Sequence, residues 1–533
     1  MQLSDRSVVV VGSGFGGLST ACYLADAGAD VTVVEKNEQL GGRASVLERD
    51  GFRFDMGPSW YLMPDVFERF FGHFGRSPAE YYELEHLHPH YKIFFKDGDR
   101  VTVTADREET KATFEEYEPG AGEALDAYLA EAEDTYQIGM EHFVYTDRPR
   151  FRDYVDLDVF RHARGLTFLG SMQDHVEDYF NHPKLQQIMQ YTLVFLGGSP
   201  KNTPALYNLM SHVDFNLGVH YPRAKDGAAT DGGATDGRVA GGTAPGDEAD
   251  RTATDEGTDQ TAPGGMGVVV DAIAEMGREM GVEYRTDSEV ESILGSAGNF
   301  RVETTDGFLQ ADLVVSDADY AHTEQELLPP QSRQYDADYW DSRTYAPSAF
   351  LLYLGVEGDV DGLEHHTLVL PDDWNTHFDK IFEDPAWPDN PAYYLCVPSE
   401  TDDSVAPEGH SNLFALVPIA PGLDDSPETR QRYRDFVLDD IAENTGVELR
   451  DRIVVEESFC VSDFTERYNS IQGTALGLAH TLRQTGPLRP GHRSSEVPGL
   501  YFTGSFTTPG IGVPMCLISG QHTADALLED YGQ

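Results

Sequence analysis

Four consecutive β-branched residues, Val8-Val9-Val10-Val11, run straight into Gly12-Ser13-Gly14-Phe15-Gly16-Gly17. Few folds accept that junction. Valine at every position suits a parallel strand buried on both faces, and Gly12-x-Gly14-x-x-Gly17 behind it has the spacing of a dinucleotide-binding turn. Gly12 permits the tight turn, Gly14 lets a pyrophosphate approach the backbone past Ser13, and Gly17 lets a helix from Leu18 to Ala27 pack closely on the strand. The phosphates then lie at the helix N-terminus, where free N–H groups and the macrodipole favour anions. A second strand, Val31-Thr32-Val33-Val34, ends in Glu35-Lys36, about 20 residues on, the separation at which an acid accepts hydrogen bonds from a ribose. Strand, turn, helix, strand and acid in that order predict a dinucleotide site; a glycine-rich turn alone does not.

At 533 residues the chain exceeds one ordinary core, and two or three subdomains are expected. The 92 Asp plus Glu against 38 Lys plus Arg give a formal net charge of -54. At low salt such a charge opposes compaction, so the composition predicts a protein that works in concentrated salt and a halophilic source. It also predicts no nucleic acid partner, because phosphates need a basic patch. Cys22, Cys396, Cys460 and Cys516 are scattered without pairing or metal-ligand spacing and read as small buried side chains in a reducing interior. His86, His88 and His90 alternate around Pro89, and His365-His366 is the other close group; alternation alone assigns no metal. Residues 1–6 leave no room for a signal peptide, and no run approaches the ~20 apolar residues of a spanning helix, so membrane contact is expected to be peripheral.

Further along, Gly41-Gly42-Arg43 and Gly57-Pro58-Ser59 follow the ribose-binding acid. The glycines let backbone pass close to a ligand, and Arg43 offers charge-assisted hydrogen bonds. From Pro64 to about Leu217, aromatic-rich and acidic helical segments alternate, with a strand at Tyr91 to Phe95 and helices including Leu125 to Tyr136 and Leu185 to Phe195. Their Phe, Tyr, Leu and Met residues suit an apolar tunnel or a core. Ala224 to Pro263 is Gly, Ala, Thr and Asp with almost no large apolar side chain, which predicts a disordered insert in one pre-existing loop. Val268 to Met280 then reads as a helix, and short strands follow at 282–285, 288–293, 300–304, 308–309 and 312–316. Ser348 to Val356 and Asn412 to Pro418 are apolar strands. The chain closes with Val497 to Gly504, then Ser505-Phe506-Thr507-Thr508-Pro509-Gly510-Ile511-Gly512-Val513-Pro514, a strand and turn opening a second helix over Met515 to Leu528.

The Gly41-Gly42-Arg43 and Gly57-Pro58 segments resemble the extended flavin-binding signature of the amine oxidase and carotenoid desaturase superfamily. The carboxy-terminal turn, together with Tyr221-Pro222 and the split Gly264-Gly265-Met266-Gly267, resembles phytoene desaturases, and the resemblance covers the chain outside Ala224 to Pro263. It implies an α/β chain from a halophilic archaeon with non-covalent FAD. A Rossmann-like FAD-binding domain would be built from residues 1–63, 264–330 and 486–533, and an α+β substrate domain from 64–223 and 331–485. Gly12, Ser13, Gly14, Gly17, Glu35, Lys36, Gly42, Arg43, Gly57, Pro58, Ser59, Val290, Gly504, Gly510, Gly512 and Val513 would border the cofactor, Val290 by a backbone contact to adenine.

By the same resemblance the substrate is a carotenoid hydrocarbon such as phytoene, taken up at the inner face of the cytoplasmic membrane. Hydride loss to the flavin followed by loss of a neighbouring proton makes the new double bond, with quinone or oxygen as the open choice of acceptor. Arg152 and Asp153 fall where the family has a proposed acid–base residue. Ser505 and Phe506 depart from the family's small residues and keep a later-step enzyme, such as a 3,4-desaturase, in view beside an isomerase. A prenyl-binding protein of the Rab escort type, without redox chemistry, is the alternative from another class.

Overall fold

The computed structural model describes residues 2–148, 170–225 and 262–533. Its first large sheet is parallel throughout, in the order Leu500–Phe502, Leu313–Ser316, Ser7–Val11, Asp30–Val34, Glu283–Arg285. Strands from both ends of the chain and from the stretch beyond residue 262 thus share one layer, which is the α/β arrangement expected. The valine run lies at its centre, and Val8 to Val11 are all buried.

The first helix, Phe15–Asp26, packs between Met266–Glu279 and the last helix, Val513–Tyr531. It begins earlier than its apolar periodicity predicts, because Gly14 is the extended residue that caps it and the chain turns helical at once. Gly12 makes the preceding turn in the left-handed region, at φ 93°. A methyl group on Gly17 would lie 2.3 Å from the Gly12 carbonyl oxygen, so the turn closes only on glycine there.

The second large sheet is mixed, in the order Ile453–Phe459, Ser348–Glu357, His410–Ile419, Tyr393–Cys396, His366–Leu370, Tyr91–Phe95, Arg100–Val103. One face carries the helices of the aromatic-rich segment, and Phe95, Tyr128, Phe180 and Leu351 meet in that core. The helix expected over Leu185 to Phe195 ends at Gln190 and tightens into the 3-10 turn Tyr191–Leu196. The predicted helix over Leu125 to Tyr136 extends to Ala121–Gly139.

Residues 226–261, nearly all of the polar insert, lie outside the described residues. Its two ends meet: the Gly265 N–H donates to the Pro222 carbonyl over 2.9 Å, and the Gly264 N–H donates to Asp402 Oδ2 over 2.9 Å. No described helix is long and apolar enough to cross a membrane.

Candidate active site

A cavity of about 810 Å³ runs from the carboxyl ends of the parallel strands to the face of the mixed sheet. Two helix N-termini open into it. Gly14, Phe15 and Gly16 line it at the first helix, and Gly512, Val513 and Pro514 at the last. Neither terminus has a side-chain cap or an acidic residue in its first turn, although at the first helix the Asp317 carboxyl accepts from the Gly14 and Gly17 N–H groups.

Glu35 sits 5% exposed at the end of the second strand. Ser13 donates to its Oε2 from the backbone N–H over 3.0 Å and from Oγ over 2.6 Å. Asn37 donates to Oε1 from its own N–H and from Nδ2, each over 2.9 Å. Four hydrogen bonds thus fix this carboxyl group at the cavity wall. The Gly41-Gly42 turn lies directly on the phosphate turn, since the Gly41 N–H donates to the Ser13 carbonyl over 3.0 Å and a methyl on Gly42 would come 3.3 Å from Gly14 Cα. Arg43 donates from Nη2 to Ser470 Oγ over 3.1 Å, while its buried Nε meets no hydrogen-bond partner.

Of the sixteen positions expected to border a cofactor, Gly12, Ser13, Gly14, Glu35, Lys36, Gly42, Arg43, Gly57, Pro58, Ser59, Val290, Gly504, Gly512 and Val513 line this one cavity. Gly17 and Gly510 are not on its wall. Gly17 serves the turn, as described, and Gly510 serves packing: a methyl there would lie 2.4 Å from the His480 ring. Lys36 reaches the wall but turns its amine away, donating to the Glu466 carbonyl over 2.6 Å and to Asn469 Oδ1 over 2.8 Å, with Glu289 at 3.2 Å. Arg152 and Asp153 lie outside the described residues. Phe506 faces away from the cavity, 3% exposed, with its ring 6.0 Å from that of Trp340. Its departure from the family pattern is therefore a matter of core packing, and only Ser505 of that pair touches the cavity.

Other residues at or behind the wall gave no sequence signal. Asp317, one residue past the strand Leu313–Ser316, places its carboxyl inside the glycine turn, where a methyl on Gly14, Gly16 or Gly504 would come within 2.6 Å of its oxygens. Desolvation there, with Glu35 adding repulsion, pushes its pKa up to about 7. Arg489, 5% exposed, donates to the carbonyls of Gln484 and Leu478 over 3.0 Å each and of Ser505 over 2.7 Å, which fixes the carboxy-terminal turn. His480 Nε2 accepts the Ile511 N–H over 3.0 Å, and burial holds its pKa well below the ordinary value. The neutral ring therefore carries its proton on Nδ1, which donates to the Tyr207 hydroxyl at 2.5 Å. The Tyr207–His480 pair joins residues 273 positions apart, and only the folded chain displays these contacts.

The wall changes character along its length. Toward the mixed sheet it is made of Trp60, Leu62, Met140, Phe143, Leu209, Met210, Leu351 and Leu416. One end thus suits phosphates and a ribose, and the other suits a hydrocarbon.

The donor set fits FAD. Two helix N-termini answer its diphosphate, Glu35 its ribose, and the unpartnered Arg43 Nε is a further donor at the wall. The Gly41-Gly42 approach leaves no side chain over the phosphate turn.

Comparison with known proteins agrees. The flavin containing amine oxidoreductase family matches residues 15–528. A carotenoid 3,4-desaturase of Haloarcula japonica is 65% identical over 531 residues, covering 99% of each chain. A phytoene desaturase of Fusarium fujikuroi is 31% identical, covering 99% of this chain and 90% of its own. A 4,4'-diapophytoene desaturase of Staphylococcus haemolyticus is 30% identical, covering 98% and 99%. Among solved structures, wild-type putrescine oxidase bound to putrescine aligns with a TM-score of 0.59 at 15% identity, covering 98% of this chain and 99% of its own. Cyclohexylamine oxidase of Brevibacterium oxydans aligns at 0.56 and 14%, covering 99% and 100%. At these identities the two oxidases share the fold.

Proposed function

Because the chain belongs to the flavin-containing amine oxidoreductases and is an FAD-dependent oxidoreductase acting on CH–CH groups, we propose that its substrate is an already conjugated carotenoid and its reaction 3,4-desaturation. The observation that carries this reading is the 65% identity, over 99% of both chains, to a carotenoid 3,4-desaturase. The phytoene-first reading, drawn from the carboxy-terminal turn and Tyr221-Pro222, is supported by relatives near 30% identity and is the weaker of the two.

Bound FAD supplies a two-electron acceptor. The chain has the remaining tasks. A polyene has no heteroatom to anchor, so the apolar wall of Trp60, Phe143, Met210 and Leu351 must hold it by shape and burial. Removal of a hydride leaves a delocalised cation, and a nearby carboxylate can stabilise it and take the neighbouring proton. Asp147 lies on this wall beside Met140 and Phe143, with Thr508 donating to its Oδ1 over 3.3 Å. We assign it the proton-accepting role. Asp153, expected from the family resemblance, is the competing assignment.

The test is product analysis with FAD-loaded protein in concentrated salt. Lycopene-type carotenoids and phytoene are supplied separately in lipid vesicles, with quinone or oxygen as acceptor. New double bonds in the conjugated substrate alone are expected, and formation of conjugated products from phytoene overturns the assignment. The vesicle format also examines membrane uptake: substrate taken only from vesicles that co-sediment with the protein is the result a peripheral enzyme gives.

A further inference from the structure

Behind the cavity wall, His365, His366 and Cys396 meet. One ligand atom of each lies within 4.8 Å of those of the other two. In sequence the histidine pair is a lone doublet and the cysteine is 30 residues away. Strand pairing brings them together: His366 is the direct antiparallel partner of Cys396, and the Val397 N–H donates to the His365 carbonyl over 2.8 Å.

All three are buried, at 5%, 0% and 1% exposure in chain order. Each imidazole uses Nδ1 in the same way. His365 Nδ1 is hydrogen-bonded to Thr401 Oγ1 at 2.7 Å, and His366 Nδ1 to the Tyr394 hydroxyl at 2.6 Å. Both Nε2 atoms are buried without a hydrogen-bond partner, a costly condition that a core histidine ordinarily avoids. A ring that gives its Nδ1–H to a hydroxyl and leaves Nε2 bare is prepared as a metal ligand, its tautomer fixed from behind. Cys396 carries a free thiol.

We propose that His365, His366 and Cys396 form a binding site for a divalent cation of the zinc class. Two imidazoles and a thiolate are a borderline-to-soft donor set, which selects zinc or cobalt over magnesium or calcium. Metal–nitrogen bonds of about 2.0–2.1 Å and a metal–sulfur bond of about 2.3 Å require the three donors to close to roughly 3.3–3.6 Å apart, a contraction of at most about 1.5 Å from the 4.8 Å limit. On binding, the Cys396 thiol loses its proton to solvent and the sulfur donates its lone pair to the metal. No redox change is involved.

The site has a structural purpose within reach of the chemistry. Trp60 stacks on His366 with ring centroids 4.1 Å apart and 9° between planes, and the Tyr394 hydroxyl is also hydrogen-bonded to Ser59 Oγ at 2.9 Å. Trp60, Ser59 and Tyr394 all line the cavity. A metal on the two histidines would therefore brace the wall on which the cofactor and hydrocarbon regions meet.

The test uses the untagged, FAD-loaded chain produced with added zinc and passed through a chelating resin in concentrated salt. About one zinc per chain is expected in the wild type, falling roughly tenfold in both Cys396→Ser and His365→Gln. With cobalt, a thiolate-to-metal charge-transfer band is expected in the wild type and absent from Cys396→Ser. Flavin content and circular dichroism report whether the variants fold. Less than about a tenth of a zinc in wild-type protein, or equal metal in wild type and variants, overturns the site; the second result would mark adventitious binding to the acidic surface.

Discussion

At the residue scale, the carboxylates divide by environment. Glu35 is held by four hydrogen bonds, so Glu35→Ala removes an acceptor and leaves the Ser13 and Asn37 donors unpaired. We expect FAD affinity to fall by about 1.5–3 kcal/mol, some tenfold to a hundredfold, read by flavin fluorescence titration. Asp147→Asn keeps an oxygen that can accept from Thr508, so flavin content should hold while turnover drops by about 10²–10⁴-fold. A loss of that size in Asp153→Asn alone would move the role to Asp153. Asp214 is the contrasting case: it is 2% exposed, the Tyr91 hydroxyl donates to its Oδ2 over 2.8 Å, and burial pushes its pKa up to about 7. The native state thus keeps this proton longer than the unfolded chain does. Its stabilising contribution is complete below about pH 4 and is lost as pH rises through about 7, on the order of 2–4 kcal/mol. Melting temperatures at pH 5 and pH 8 should therefore differ less in Asp214→Asn than in the wild type, and an unchanged difference would refute the shift.

At the element scale, the first strand, its turn and the first helix act as one unit. The unit works because nothing protrudes between strand and helix. Gly17→Ala puts a methyl 2.3 Å from the Gly12 carbonyl oxygen, with Asp317 also within 3.0 Å. Overpacking of this kind costs about 1–3 kcal/mol, and here it also displaces the N–H groups aimed at the diphosphate. Loss of flavin on gel filtration at an otherwise native circular dichroism spectrum is the expected result. A variant that retains FAD at wild-type affinity would show that the turn tolerates a side chain. The order of elements in this unit was legible from residues, because each glycine and the terminal acid answer a local geometric demand. The helix start was not, because capping by an extended Gly14 leaves no polar cap residue as a signal.

At the scale of the whole molecule, the net charge of -54 is a solvent specification. Screening falls from about 10 Å at 0.1 M salt to about 3 Å at 1 M, so self-repulsion across the surface is quenched only in brine. Raising potassium chloride from 0.1 to 3 M should raise the melting temperature by about 10 °C or more, while sucrose of equal osmolarity should do much less. An equal response to sucrose would assign the effect to exclusion of solutes and not to screening. Charge, length and the nucleotide-binding unit depend on composition and on contacts within about thirty residues, and the sequence by itself determined these, along with the FAD fold to which they belong. The tertiary structure alone decided the pairings that no motif marks, near or far along the chain: that Asp317 fills the glycine turn, that Arg489 clamps the carboxy-terminal turn, and that Cys396 stands opposite His366. The physical reason is that strand register and helix packing are set by the sum of many weak contacts across the chain, and no local spacing records which distant side chain that sum will bring within bonding distance.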